Sequence, residues 1–143
     1  MDACCLNRLT DEQSQTRVHD EAGAVEGILR LVQDGRATWV SSRVLEIEIG
    51  RNPDLERRHD VVALLAFADE VVALQPKDAV RAQSLEQLGF GPFDALHLAC
   101  AEQGRVDVFL TTDDDLLRRT RRNATAVRVR VENPVSWYGE LKS

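Results

Sequence analysis

The residues in this chain whose types and placement could do chemistry are carboxylates. Asp113 follows the apolar run Val106-Asp-Val-Phe-Leu-Thr-Thr112, where a buried strand meets the next helix, and Asp114 and Asp115 come directly after it. Asp94 opens the helical stretch Phe93-Asp-Ala-Leu-His-Leu-Ala-Cys-Ala101. Glu48 lies in the helix after the Trp39-Val40 strand, and Asp2 stands at the start. Acids at helix N-termini complement the helix dipole and cap free N–H groups, which is one reading of Asp94 and Asp113. The other reading gathers the acids in one cleft. Crowded carboxylates repel and raise one another's pKa, and a bound divalent cation reverses that logic. Mg²⁺ takes oxygen ligands, commonly one or two carboxylates with water and substrate phosphate. Two such ions about 4 Å apart activate a water and stabilise the leaving oxygen of a phosphodiester. No side-chain nucleophile is then required, and no convincing Ser/His or Cys/His arrangement is present.

The elements that must position these acids follow from periodicity and punctuation. Ala22, Val25, Ile28, Leu29 and Val32 recur at helical spacing, predicting a helix over about 18–34 that Asp34-Gly35 ends. A short buried strand is expected at 37–41, and Ser42 caps a helix to about Gly50. Asn52-Pro53 breaks the chain before a helix at about 54–68. A strand at 71–74, a helix from Pro76 to near Gly89, and a helix from Pro92 to about Gln103 follow. Then come a strand at 106–111, a helix at 113–122, a strand at 127–131 and a short terminal helix after Asn133-Pro134. Strands alternating with helices predict an α/β fold with a central parallel sheet and helices on both faces. The functional crevice of such a sheet lies beyond the carboxyl ends of its strands.

Bulk properties set the frame. The 143 residues suit one domain, 1–143, able to bury a core. No run of eighteen apolar residues suggests a membrane helix, and the N-terminus lacks a basic-then-apolar signal. Three cysteines, Cys4, Cys5 and Cys100, have no metal-ligand spacing and read as reduced cytoplasmic thiols. Net charge is −6, but Leu116 to Val131 carries six arginines and no acid, leaving the remainder near −12. That segment is either a solvated helix face or a place to hold a phosphate backbone.

Three stretches resemble the PIN domain, the nuclease domain of VapC-type toxins. They are Asp2-Ala-Cys-Cys-Leu-Asn-Arg8 continuing to Asp11-Glu-Gln-Ser-Gln-Thr-Arg17; Ser41-Ser-Arg-Val-Leu-Glu-Ile-Glu48 with Arg51-Asn-Pro53; and Phe93-Asp-Ala-Leu-His-Leu-Ala-Cys-Ala-Glu102 with Phe109-Leu-Thr-Thr-Asp-Asp114. They span nearly the whole chain and look like a subgroup of stand-alone bacterial PIN proteins. The resemblance implies a three-layer α/β fold and Mg²⁺-dependent hydrolysis of RNA, with Mn²⁺ able to substitute. It matches Asp2, Glu48, Asp94 and Asp113 to the family's catalytic and metal-binding acids, with Asp115 assisting at the metal. It further implies an RNA substrate, an antitoxin partner and pairing as homodimers. Glu46 rivals Glu48, but only one of the two can face the metal, and Glu48 shares a face with Val44 and Leu45. Arg118, Arg119, Arg121 and Arg122 are then the RNA-contacting candidates, ahead of Arg51, Arg57 and Arg58.

Two departures stand out. Ala3 replaces the Thr or Ser that usually follows the first aspartate. Only Met1 precedes Asp2, where the family has an apolar strand whose burial contributes on the order of 6–12 kcal/mol, so a truncated first strand or an upstream start is expected. Two other functions compete. One is a catalytically inactive PIN scaffold or RNA-binding module. The other, a phosphate-handling receiver domain, needs a strand-end lysine, and only Lys77 and Lys142 exist. His97 is three residues from Asp94 and is expected to be packed or hydrogen-bonded rather than a metal ligand. Trp39 should be core, and Trp137 and Tyr138 should dock the terminal helix.

Overall fold

The computed structural model describes residues 1–142. Helix α1 (Ala3–Asn7) is capped by Asp2, whose Oδ1 accepts from the Cys5 amide at 3.2 Å. The sequence pattern did not predict this helix, because five residues are too few to show a period. Helix α2 spans Thr16–Gln33, two residues earlier than expected, and buries its Val25, Ile28, Leu29 and Val32 stripe. Strand β1 (Val40–Ser42) runs straight into α3 (Arg43–Gly50), with Ser42 Oγ accepting from the Leu45 amide as the sequence predicts. Helix α4 covers Leu55–Leu64 and tightens into a 3₁₀ turn at Leu65–Phe67, which shortens the helix expected there. Strand β2 is Glu70–Val72. Pro76 starts α5 (Pro76–Gln87), and Pro92 starts α6 (Pro92–Gln103). Strand β3 (Phe109–Leu110), α7 (Asp114–Arg122), β4 (Val131–Glu132) and α8 (Pro134–Lys142) complete the order.

The strands are shorter than the apolar runs suggest, and they pair as two parallel ribbons, β1 with β2 and β3 with β4, instead of one sheet. β2 is Glu70–Val72 where a strand is expected at 71–74, and Val71 is 53% exposed, so the ribbon turns a face to solvent. Two apolar cores meet at β3. Leu110 packs with Leu6, Val25, Trp39 and Leu45. Phe109, pointing the other way, packs with Leu85, Leu98, Leu116 and Leu117. One strand with a core on each face holds its carboxyl end rigidly, and there the acids begin. Helix α8 docks by Trp137 and Tyr138 as expected, with Tyr138 filling the space above Gly27, where a Cβ would meet its ring at 2.4 Å.

Between the two ribbons lies a groove of about 560 Å³, lined by Trp39, Val40 and Ser41 on one side and Val106, Val108 and Phe109 on the other. Met1 reaches it, and the Asp2 amide donates to Leu110 O at 3.2 Å. Trp39 Nε1 and Ser41 Oγ, both buried along this groove, lack a hydrogen-bond partner among the described residues. No helix among the described residues is long and apolar enough to cross a membrane.

Candidate active site

Helices α3 and α7 both begin where a strand ends, so their first turns bring side chains to the mouth of the sheet. Asp113 is the N-cap of α7, and its Oδ1 accepts from the Asp115 amide at 2.9 Å and the Leu116 amide at 3.3 Å. The capping reading is therefore met, and both cap bonds use the same oxygen. Thr111, wholly buried at the end of β3, donates its hydroxyl to Asp2 Oδ2 at 2.5 Å and accepts from the Asp113 amide at 3.1 Å. One side chain thus ties Asp2 to Asp113. A hydroxyl expected beside Asp2 in sequence and missing at Ala3 is supplied from the far end of the chain.

Glu48 and His97 form the second tie. His97 is buried, lies against the Phe109 ring, and its Nε2 meets Glu48 Oε1 at 3.1 Å. The same carboxylate oxygen accepts from the Ala3 amide at 3.2 Å, which brings Glu48 next to the Asp2 backbone. Glu46 turns away and pairs with Arg43 at 3.3 Å. Asp94 sits in the first turn of α6, one turn before His97.

The electrostatics show that the four acids share one neighbourhood. Burial lifts the Asp94 carboxyl to about 6, helped by the charges of Asp2, Asp113 and Glu48 and opposed by His97. Burial also raises Asp2, against the Thr111 hydrogen bond. For Glu48, burial acts upward too, but the His97 bond and charge and the Ala3 amide outweigh it, and its pKa falls below the usual glutamate value. The Cys4 thiol is driven to about 12, first by desolvation and then by Asp2, Glu48, Asp113 and Asp94 together. A thiol held in that state is no nucleophile.

The other sequence candidates lie apart from this cluster. Asp115 is exposed and paired with Arg118, so its carboxylate is engaged outward. Arg119 donates to Gly89 O, while Arg121 and Arg122 stand exposed on the last turn of α7. Arg57 is taken up by Asp11, Thr10 and Asn7, and Arg51 lies over the Phe93 ring at 5.3 Å. Arg17 and Glu21 drew no role from sequence. Arg17 reaches Asp114 across 97 residues, a link that no local pattern announces.

The donor set fits a divalent cation in its chemistry. The Asp94 carboxyl is raised first by burial and then by Asp2, Asp113 and Glu48, surroundings in which a divalent cation would favour the ionised form. The acids do not close into a ready shell, however: no group of three or more His, Cys, Asp or Glu among the described residues converges tightly enough to hold a metal.

Fold and site together define an α/β protein in which Asp113 follows the end of β3 and Asp2, Glu48 and Asp94 lie within range of its charge or of one another's. The PIN domain model matches residues 2–123, and the chain belongs to the PIN domain family, whose members are generally nucleases that use divalent metals on nucleic acid. No curated protein and no solved structure gives a significant match.

Proposed function

We propose that this protein is an endoribonuclease that hydrolyses RNA phosphodiester bonds at Asp2, Glu48, Asp94 and Asp113 with Mg²⁺, or Mn²⁺ in its place. The observation that carries the reading is the PIN domain match over residues 2–123, on a chain where Thr111 joins Asp2 to the Asp113 loop and Glu48 meets the Ala3 amide. A divalent ion bound among the four acids supplies the charge that activates water and stabilises the leaving oxygen. The protein's part is placement. Thr111 fixes Asp2, His97 fixes Glu48, and the α7 cap fixes Asp113. Of the α7 arginines, Arg121 and Arg122 are best presented to an RNA backbone, and Arg118 and Arg119 join them on exchanging their present partners.

The further roles are a cytoplasmic toxin of a toxin–antitoxin pair, working as a homodimer or under an antitoxin. The finer fold is three layers, with the β1–β2 and β3–β4 ribbons together forming the middle one.

A second reading, an RNA-binding scaffold without activity, is favoured by the open spacing of the acids. Incubation with a mixed structured RNA pool separates the two. Cutting that requires Mg²⁺ or Mn²⁺, stops with chelator and is lost in Asp94→Asn supports the nuclease. RNA binding without cutting in every condition supports the scaffold.

A further inference from the structure

We propose that Arg17 is a positioning residue that, with Glu21, holds Asp113 in register with Asp2. The inference rests on the nuclease reading for its purpose but on geometry for its substance. Arg17 lies in the first turn of α2. Its Nη1 donates to Asp114 Oδ2 at 2.6 Å, and its Nη2 donates to Asp114 Oδ1 at 2.8 Å and to Thr112 O at 3.0 Å. One guanidinium therefore grips the residue before Asp113 and the residue after it. Such a fork is specific to arginine, because a lysine ammonium cannot make a parallel pair and reach a carbonyl in the same plane.

The grip is itself anchored. Glu21, one turn along α2 and 2% exposed, accepts from Arg17 Nε at 3.4 Å, from Arg8 Nε at 2.9 Å and from Asn133 Nδ2 at 2.6 Å. Arg8 directly follows α1, the helix that Asp2 caps. Glu21 thus ties the Asp2 helix on one side to the Asp113 loop on the other. It parallels the inner tie through Thr111, from outside the cluster. Arg17 is committed to Asp114 and Glu21, so its charge is spent within the protein. Half of its side chain is exposed, so its removal leaves the apolar cores intact.

The test uses the full chain, with Arg17→Gln, Arg17→Lys and Asp114→Asn beside wild type. Hydrogen exchange of the Asp115 and Leu116 amides reports the Asp113 cap directly, with or without metal. Both Arg17 variants are expected to speed that exchange and weaken Mn²⁺ binding roughly tenfold. They should lower kcat with KM for RNA unchanged and leave the melting temperature within a few degrees. Asp114→Asn should move the same way by less. Unchanged exchange at these two amides overturns the proposal. So does a rise in KM alone, which would make Arg17 an RNA contact, or faster exchange throughout the protein with a large fall in melting temperature. Faster local exchange in a protein whose wild type neither binds Mn²⁺ nor cuts RNA would keep the clamp and sink the nuclease reading.

Discussion

Glu21 and Asp94 are both carboxylates drawn in from solvent, and the protein surrounds them in opposite ways. Glu21 is met by Arg8, Arg17 and Asn133, and the network runs on from Arg8 to Asp11 and Arg57. Asp94 is met by the charges of Asp2, Asp113 and Glu48, with only His97 opposing them. The first region neutralises its acids with arginine. The second leaves neutralisation undone and stiffens its acids with a threonine, a histidine and backbone amides. On the function proposed above, the acid cluster is left open for a charge from outside.

The largest effect expected from this contrast is on stability. Glu21→Ala would leave Arg8 with Asp11 and Arg17 with Asp114 but remove the buried acceptor that joins them, and should cost about 3 kcal/mol in urea unfolding in chelator. A loss below about 0.5 kcal/mol, the range of an ordinary surface substitution, would break the contrast.

The pH dependence of the metal-free protein comes next. The Asp94 carboxyl is raised from 3.8 to about 6, so between those values the folded chain keeps a proton that the unfolded chain has released. Its contribution is therefore a penalty that grows as pH rises through this window, on the order of 3 kcal/mol once pH passes 6. Asp2, also raised, adds to it in the same direction. Glu48, lowered, works the other way: its stabilisation is present above 4.5 and fades as pH falls through its folded value. Thermal unfolding in chelator should show higher stability near pH 5 than at pH 7.5, and Asp94→Asn should flatten that difference. Equal stability at the two pH values would mean that the cluster carries no unpaired charge.

His97→Ala sharpens the contrast within the cluster. Removing the partner of Glu48 should weaken Mn²⁺ binding by about 10–100-fold, with partial rescue by His97→Gln. Unchanged binding would reduce His97 to packing against Phe109. The smallest effect belongs to the exposed arginines. Arg121→Ala and Arg122→Ala should each weaken RNA binding across sequences and lower the slope of log affinity against log salt by roughly 0.7, as expected for one lost phosphate contact on a single strand. An unaltered slope would make that face of α7 a solvated surface.

Legibility in the sequence followed the range of the interactions. Ser42, Pro76 and Pro92 announce helix starts through local chemistry, and the structure puts helices there. Glu48 rather than Glu46 was chosen by helical phase, and Glu48 is the one that meets His97 and Ala3. Strand lengths were misread because a run such as 106–111 reports burial, whereas pairing depends on a partner elsewhere in the chain. Only Phe109 and Leu110 are in register with β4. Thr111 bonding to Asp2 spans 109 residues, and Arg17 bonding to Asp114 spans 97, so neither leaves a local trace. The family resemblance nominates Asp2, Glu48, Asp94 and Asp113, and the geometry shows the partners of Asp2, Glu48 and Asp113.

The most direct test of the central claim is calorimetric titration of Mn²⁺ at pH 6 in buffers of different ionisation heat. Near its raised pKa, Asp94 is half protonated, so a cation that seats on the cluster must displace part of a proton. The account predicts binding with proton release at pH 6, release that fades by pH 8, and loss of both binding and release in Asp94→Asn. Absence of binding, or binding that Asp94→Asn leaves unchanged, would contradict it.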